Sequence, residues 1–314
     1  MRHVVSLVDF SRDEIQGIIE LGIKMKKHPE AYASTCLHQG LLMLFQKTST
    51  RTLLSFASAI HQLGGYPVTL DWDQSNFAIS PIQYEVQYAS RNCDVIMARL
   101  KYHKDVVDLA HYSQVPVING CSERYHPCQA LADLMTIFEI RGTFSGTTLS
   151  YVGVLNNVAN SLIEGCMQMG LKLKLVTPII NPASWDQQLM DFAEASDLVQ
   201  RVSAIEDVIG DTDFVYTDTW VDMEFFNAPN FLAEREARMK TMIPYQINRT
   251  TLAGHHPYLM HDMPIHPGYE IEESLVESEE SIIYQQAENR MHVEKALLVY
   301  LLNQQSAKPV FPCD

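Results

Sequence analysis

Residues 41–65 read LLMLFQKTSTRTLLSFASAIHQLGG and combine an apolar run, a polar turn and a helical pattern in direct succession. The run Leu41–Phe45 is typical of a buried strand. From 50 to 63, apolar side chains recur at helical spacing, and the pattern ends at Gly64-Gly65. These side chains are Leu53, Phe56, Ala57, Ile60 and Leu63. A buried strand followed at once by an amphipathic helix predicts a βα unit of a parallel sheet.

The same alternation continues along the chain. Further strands are predicted at Val95–Ala98, Val115–Ile118, Leu149–Val152, Leu171–Val176, Phe214–Thr217 and Tyr258–Met260. Further helices are predicted over 127–139, 157–169 and 281–302, the second ending at Gly170. We therefore expect an α/β fold of two doubly wound parallel-sheet domains, with the active site in the interdomain cleft. The first domain would take 1–137 plus 291–314, and the second 138–290.

The overall charge excludes several classes of partner. The 314 residues include 23 Lys+Arg against 38 Asp+Glu, a formal charge of −15. Such a chain does not favour nucleic acid or an anionic membrane through its overall field, so any bound anion must meet a local basic site. No run is long and apolar enough for a signal peptide or a membrane span. We expect a cytoplasmic protein.

Cysteine and histidine patterns give no indication of a metal or disulfide framework. The six cysteines contain no CxxC pair. His255, His256, His261 and His266 crowd together, but prolines break the run and the helical ligand spacing is missing. We expect no metal.

Polar side chains with affinity for anions follow the first strands. Gln46–Thr52 runs from a strand into a helix. Hydroxyls, Arg51 and the backbone N–H groups that have no partner within the helix therefore meet at a helix N-terminus, as in a phosphate-binding site. An ordinary N-cap with a surface arginine is the alternative. Arg99 and His126 follow later strands and suit an oxygen that gains negative charge, although a lone His126 is more often a capping residue.

Later strands are followed by amides and carboxylates instead. Asn156-Asn157, Asp218, Asp222 and His261-Asp262 occupy these positions. Basic groups in one domain and acidic groups in the other suit the transfer of a group from an anionic donor to an amine.

Taken together, these residues resemble the ornithine branch of the aspartate/ornithine carbamoyltransferases. The matching motifs are Ser49-Thr50-Arg51-Thr52, Arg99, His126-Pro127-Cys128-Gln129, Asn156-Asn157, Asp218-Thr219-Trp220 and Glu288-Asn289-Arg290. The resemblance covers about residues 5 to 302. It implies a homotrimer with active sites at subunit boundaries, no cofactor, a first domain for carbamoyl phosphate and a second for the amino substrate.

The resemblance also assigns roles. Carbamoyl phosphate would be held by Ser49, Thr50, Arg51, Thr52, Arg99, His126, Gln129, Met263 and Arg290. The amino substrate would be held by Asn157, Asp218, Asp222 and Met223. The catalytic residues would be Arg51, Arg99, His126 and Asp262.

The acceptor half departs from the ornithine pattern. Asp222-Met223-Glu224 stands where relatives have Ser-Met-Gly, and His261-Asp262-Met263-Pro264 stands where they have His-Cys-Leu-Pro. Crowded carboxylates favour a cation between them, which suits putrescine or another basic amine, unless either side chain turns to solvent. Leu53 replaces a usual arginine. Loop 73–80, which in relatives reaches the neighbouring subunit, lacks basic residues, although Gln74 could donate a hydrogen bond there.

Three functions are compared. A carbamoyltransferase acting on ornithine or a related amine is favoured. A silent relative that only binds carbamoyl phosphate would require damaged donor motifs, which are intact. A nucleotide-dependent oxidoreductase would require a GxGxxG after a strand, which is missing.

Overall fold

The computed structural model describes residues 1–221 and 231–303. The chain forms two compact units. Among the described residues, unit 1 comprises 1–135 and 289–303, and unit 2 comprises 136–221 and 231–288.

Unit 1 contains a four-stranded, fully parallel sheet with the order β2-β1-β3-β4. The strands are β1 (Gly40–Phe45), β2 (Tyr66–Asp71), β3 (Val95–Arg99) and β4 (Val117–Cys121). From β1 the chain moves to one side to form β2, and then crosses to the other side to form β3. This reversal makes the sheet doubly wound, with a switch point between β1 and β3.

The helices of unit 1 follow its strands. They are α1 (Arg12–Lys27), α2 (Thr50–Gln62), α3 (Ile82–Ala89) and α4 (His103–Tyr112). Unit 1 also includes α5 (Pro127–Arg141) up to residue 135 and α11 (Ile283–Asn303) from residue 289. Apolar side chains of β1 and β3, such as Leu44 and Ile96, pack with Val106 and Leu109 of α4 in a buried cluster. Side chains of the sheet therefore form the core with the helices, and polar residues lie at the ends of the strands.

Unit 2 contains a five-stranded parallel sheet with the order β7-β6-β5-β8-β9. Its strands are β5 (Thr148–Leu155), β6 (Lys172–Ile180), β7 (Val199–Arg201), β8 (Phe214–Thr217) and β9 (Tyr258–His261). Its helices are α6 (Asn157–Met169), α7 (Gln187–Glu194), α8 (Glu206–Ile209), α9 (Leu232–Met242) and α10 (Glu273–Val276). The order reverses between β5 and β8, which is the switch point of this second sheet.

Two parallel α/β sheets confirm the predicted fold class. The predicted helix over 157–169 is confirmed as α6, and Gly170 caps it in the left-handed conformation at φ 74°. Strands β2 and β7 were not predicted. The strand predicted at Val115–Ile118 began too early, because Val115 and Pro116 precede β4. The long helix predicted over 281–302 is α11.

The described helices were also compared with the length and hydropathy of a membrane span. No helix in the described ranges, 1–221 and 231–303, is long and apolar enough to cross a membrane.

Gly64 ends α2 with a backbone that other residues adopt only at a cost. Its φ is +89°, and a Cβ there would lie 2.8 Å from the Ala33 carbonyl oxygen. We expect Gly64→Ala to lower the free energy of unfolding by about 1–3 kcal/mol. Gly17→Ala is the matched control, because Gly17 is exposed in the interior of α1 with nothing within 4 Å of an added Cβ. It should raise stability by about 0.4–1 kcal/mol. Denaturant titration of both variants checks the opposite signs, and equal shifts would contradict the analysis.

Candidate active site

Helix α2 begins directly after β1, at the switch point of unit 1. Ser49 is its N-cap, and the Ser49 hydroxyl accepts a hydrogen bond of 3.2 Å from the Thr52 backbone N–H. Thr50 and Arg51 form the first turn, with Thr50 exposed and Arg51 half-buried. The helix N-terminus carries a positive partial charge, and Arg51 adds a full one, so the predicted phosphate cradle has the electrostatics that an anion requires.

The Thr52 hydroxyl joins three elements of unit 1. It accepts hydrogen bonds from Arg99 Nη1 at 3.4 Å and from Arg290 Nη2 at 3.2 Å. Arg99 ends β3, directly opposite Phe45 at the end of β1 in the parallel register. The strand register and α2 therefore bring two guanidinium groups onto one buried hydroxyl.

Arg290 is almost fully buried and has two further partners. Its Nη1 donates to Gln129 Oε1 at 3.1 Å, and its Nη2 donates to Glu294 Oε1 at 3.2 Å. Gln129 Nε2 in turn donates to Asp133 Oδ1 at 2.9 Å, so the amide is held with its carbonyl towards Arg290. Thr52, Arg99, Gln129 and Arg290, which the resemblance assigns to one site, thus form one hydrogen-bonded cluster.

His126 lies immediately before α5 and is 4% exposed. Its backbone carbonyl accepts hydrogen bonds from the N–H groups of Gln129 and Ala130. This geometry places His126 at the start of α5, within one turn of Gln129.

In unit 2, Asp218 and Asp262 follow two neighbouring strands. Thr217 of β8 pairs in register with His261 of β9, so the next residue on each strand is a carboxylate. Asp218 Oδ2 accepts a hydrogen bond from Asn156 Nδ2 at 2.6 Å, and Asp218 Oδ1 accepts one from the Thr219 N–H at 2.6 Å. The two carboxyl groups also hydrogen-bond to each other. Asp262 therefore turns towards Asp218, which settles one of the alternatives left by the sequence.

The environment of Asp218 disfavours its charged form. Burial and the neighbouring Asp262 raise the pKa of Asp218 well above its ordinary value, while the hydrogen bonds from Asn156 and Thr219 lower it in part. The two carboxyl groups consequently share a proton more readily than either would hold one alone.

The Asn156 amide contacts Asp218. The Asn156 side chain also caps α6 by accepting from the N–H groups of Val158 and Ala159. Asn157 is the half-buried first residue of α6. Asparagine at a helix start is a capping signal, and this signal in the sequence could have singled out Asn156.

His261 is fully buried beside the carboxyl pair. Its Nδ1 accepts a hydrogen bond of 2.8 Å from the Met263 N–H, and its Nε2 lies 3.1 Å from Glu270 Oε1. Met263, predicted to contact carbamoyl phosphate, lies in unit 2 and packs against that unit's apolar cluster. Asp222 and Met223 lie outside the described residues.

Among the described residues, Asp218, His261 and Asp262 have ligand atoms within 4.8 Å of one another, as metal ligands would. Both imidazole nitrogens of His261 already have partners within unit 2. Burial lowers the pKa of His261, but hydrogen bonds with Asp262 and Glu270 raise it by more, so the imidazole beside the carboxyl pair takes up a proton more readily than a free one.

Comparison with known families separates the chain at the same place as its two sheets. The model described as "Aspartate/ornithine carbamoyltransferase, carbamoyl-P binding domain" matches residues 2–139. The model described as "Aspartate/ornithine carbamoyltransferase, Asp/Orn binding domain" matches residues 145–301. This chain belongs to the aspartate/ornithine carbamoyltransferase family.

Individual relatives agree over the whole length. The ornithine carbamoyltransferase of Archaeoglobus fulgidus is 35% identical over 314 residues, covering 98% of this chain and 99% of the relative. That of Thermococcus kodakarensis is 37% identical over 311 residues, covering 96% of each. The solved ornithine carbamoyltransferase of Pyrococcus furiosus matches with a TM-score of 0.88 at 35% identity, covering 96% of this chain and 97% of that one. The chain is therefore a carbamoyltransferase.

The carboxyl pair of this carbamoyltransferase gives a direct test of the site in unit 2. In Asp262→Asn the neighbouring negative charge is lost, so we expect the pKa of Asp218 to fall, while burial keeps it above the ordinary range. Carbon-13 NMR titration of the aspartate carboxyl carbons measures this shift. Asp211→Asn, at an exposed acid that pairs with Lys174, should leave the Asp218 titration unchanged. An Asp218 midpoint that does not move in Asp262→Asn would contradict the pairing.

Proposed function

We propose that this carbamoyltransferase moves the carbamoyl group of carbamoyl phosphate to the amine of ornithine, giving citrulline and phosphate. The observation that carries the proposal is the Thr52-centred cluster, where two guanidinium groups and an amide meet at a helix N-terminus. The relatives named ornithine carbamoyltransferase support ornithine as the acceptor.

In the proposed donor site, the phosphate lies at the N-terminus of α2. Ser49, Thr50, Arg51 and Thr52 hold it through hydroxyls, backbone N–H groups and the Arg51 guanidinium. Arg99, His126, Gln129 and Arg290 hold the carbamoyl group and stabilise its oxygen as negative charge develops there. Such stabilisation by preorganised donors is an effective contribution to acyl-type transfer.

In the proposed reaction, the deprotonated amine attacks the carbamoyl carbon and forms the new N–C bond. The C–O bond to phosphate then breaks, and phosphate leaves with one of the two amine protons, while the other stays on the new ureido nitrogen. Asp218 and Asp262 orient the amine, with Asn157, Asp222 and Met223 completing the acceptor site. No cofactor takes part in this scheme, and the residues contribute positioning and electrostatics.

A second acceptor class is favoured by one observation, the buried carboxyl pair. A thiol stands at the position of Asp262 in the ornithine pattern, so this chain has one more carboxyl group beside the amine. A basic amine without a carboxylate, such as putrescine, would offer its positive charge to that pair and would avoid repulsion.

The proposal includes a homotrimer with shared sites. Strand β2 lies at the sheet edge with all six residues exposed, and Leu54, Ile79, Tyr84 and Tyr88 are exposed large apolar residues in the same stretch of chain. Exposed apolar residues at this density are typical of surfaces that bind another protein chain. In the loop 73–80, the Gln74 amide bonds to Asp71 of its own chain.

An acceptor panel tests the reaction. The protein is incubated with carbamoyl phosphate and ornithine, putrescine, N-acylated ornithines, lysine or aspartate, and phosphate release is followed. We expect turnover with ornithine or with a basic amine. Asp262→Cys should shift the preference towards ornithine, because it removes the extra carboxyl group. Turnover with none of the amines would overturn the acceptor proposal. An acceptor preference that is unchanged in Asp262→Cys would show that Asp262 does not determine acceptor specificity.

Two variants test the donor residues. Arg51→Ala should weaken carbamoyl-phosphate binding by roughly 10- to 100-fold, since a charged hydrogen-bonding group is lost. His126→Ala should mainly lower the maximal rate, by roughly 10²–10³ if it stabilises the oxyanion. Steady-state kinetics separate the two effects. Arg91→Ala and His111→Ala, at exposed positions of the same unit, serve as controls. Kinetics near those of the wild type for both site variants would refute the donor-site assignment.

A further inference from the structure

A buried carboxylate that the reaction scheme does not use lies one helical turn after Arg290. Glu294 Oε1 accepts a hydrogen bond of 3.2 Å from Arg290 Nη2. The Glu294 side chain is 0% exposed and the Arg290 side chain is 3% exposed. Burial of a carboxylate is costly unless it is paired and hydrogen-bonded. The position of Glu294 therefore depends on the arginine that it contacts.

Three hydrogen bonds of Arg290 help to fix the orientation of its guanidinium plane. Nη1 is directed to Gln129, while Nη2 is shared between Thr52 and Glu294. Gln129 and Thr52 belong to the proposed donor site, whereas Glu294 lies on α11, four residues after Arg290. The carboxylate consequently adds a charged partner that helps to fix the guanidinium and balances its charge.

Other charged groups of the described residues meet this cluster through its hydrogen bonds. Arg99 reaches the cluster through the Thr52 hydroxyl, and Asp133 reaches it through the Gln129 amide. On α5, burial raises the pKa of the Cys128 thiol, and the Glu294 charge raises it further, so this thiol stays neutral. The charge on the Arg290 guanidinium is thus balanced directly by Glu294.

We propose that Glu294 is a positioning residue that sets both the aim and the effective charge of Arg290 in the donor site. This inference rests on the proposed donor site. When Glu294 is charged, the guanidinium is held for the carbamoyl oxygen, and its attraction for bare anions is reduced. When Glu294 is neutral, its interaction with the Arg290 guanidinium weakens and the site becomes more positive. The site then binds inorganic phosphate more tightly, and turnover is slower.

The protonation state of Glu294 changes near neutral pH. Burial raises the pKa of Glu294 to about 7, while Arg290 and a hydrogen bond with Ser55 lower it in part. A raised carboxyl pKa means that the group is charged above about pH 7 and neutral below it. The wild-type protein should therefore approach a neutral variant as the pH falls.

Glu294→Gln keeps the shape of the side chain and removes its charge. At pH 8 we expect kcat to fall by about 5-fold and the inhibition constant of inorganic phosphate to fall by a similar factor. Both ratios to the wild type should approach one at pH 6. Comparing the two proteins at each pH cancels the ionisation of carbamoyl phosphate itself. A kcat ratio that is constant with pH, or an unchanged phosphate inhibition constant, would overturn the proposal.

A second variant and a control complete the test. Ser55→Ala removes a hydrogen bond that favours the charged carboxylate, so the pH at which kcat declines should move upwards. An unmoved midpoint counts against the proposal. Glu234→Gln makes the same substitution in an exposed Arg–Glu pair on α9 and should change neither quantity. If Arg51→Ala also leaves donor binding unchanged, the donor site itself is wrong. If Arg51→Ala weakens binding and only the Glu294 effects fail, this inference alone is wrong.

Discussion

The parallel register at two switch points determines where the chemistry of this protein lies. In unit 1, Phe45 of β1 pairs with Arg99 of β3, so the start of α2 and the Arg99 guanidinium leave the sheet side by side. In unit 2, Thr217 of β8 pairs with His261 of β9, so Asp218 and Asp262 leave side by side. A slip of one residue in either register would turn the side chains to the opposite face and separate these groups. Both sites thus depend on backbone hydrogen bonds that involve none of the polar side chains they bring together.

Local signals in the sequence were enough to predict the main elements. The apolar run before the STRT motif and the helical spacing that ends at Gly64 predict β1 and α2, and asparagine and glycine mark the two ends of α6. Strand β2 gave no such signal, because all six of its residues are exposed and Pro67 interrupts it. A proline in a strand is compatible with an edge position, where its missing N–H is not needed. Strand β7 has three residues, too few to show alternation.

The site was predicted less completely than the fold, since hydrogen bonding depends on distances that motifs do not contain. The sequence placed Arg99, Gln129 and Arg290 in one site but did not show that the Thr52 hydroxyl joins both arginines. It also missed Glu294, although the spacing of four residues from Arg290 on a helix was a usable signal. Asn156 and Asn157 are adjacent, and only the structure shows that the Asn156 amide bonds to Asp218. Burial decided these points, and burial follows from the packing of the whole unit.

The exposed strand β2 has a consequence for the newly synthesised chain. Its outer edge presents backbone donors and acceptors along Tyr66–Asp71, flanked by exposed apolar side chains. Open edges of this kind pair with other strands unless a neighbour or a charge protects them. Asp71 and Pro67 protect two positions and leave the rest open. The open edge of β2 is therefore a place where one molecule can pair with a strand of another, and aggregation can start there.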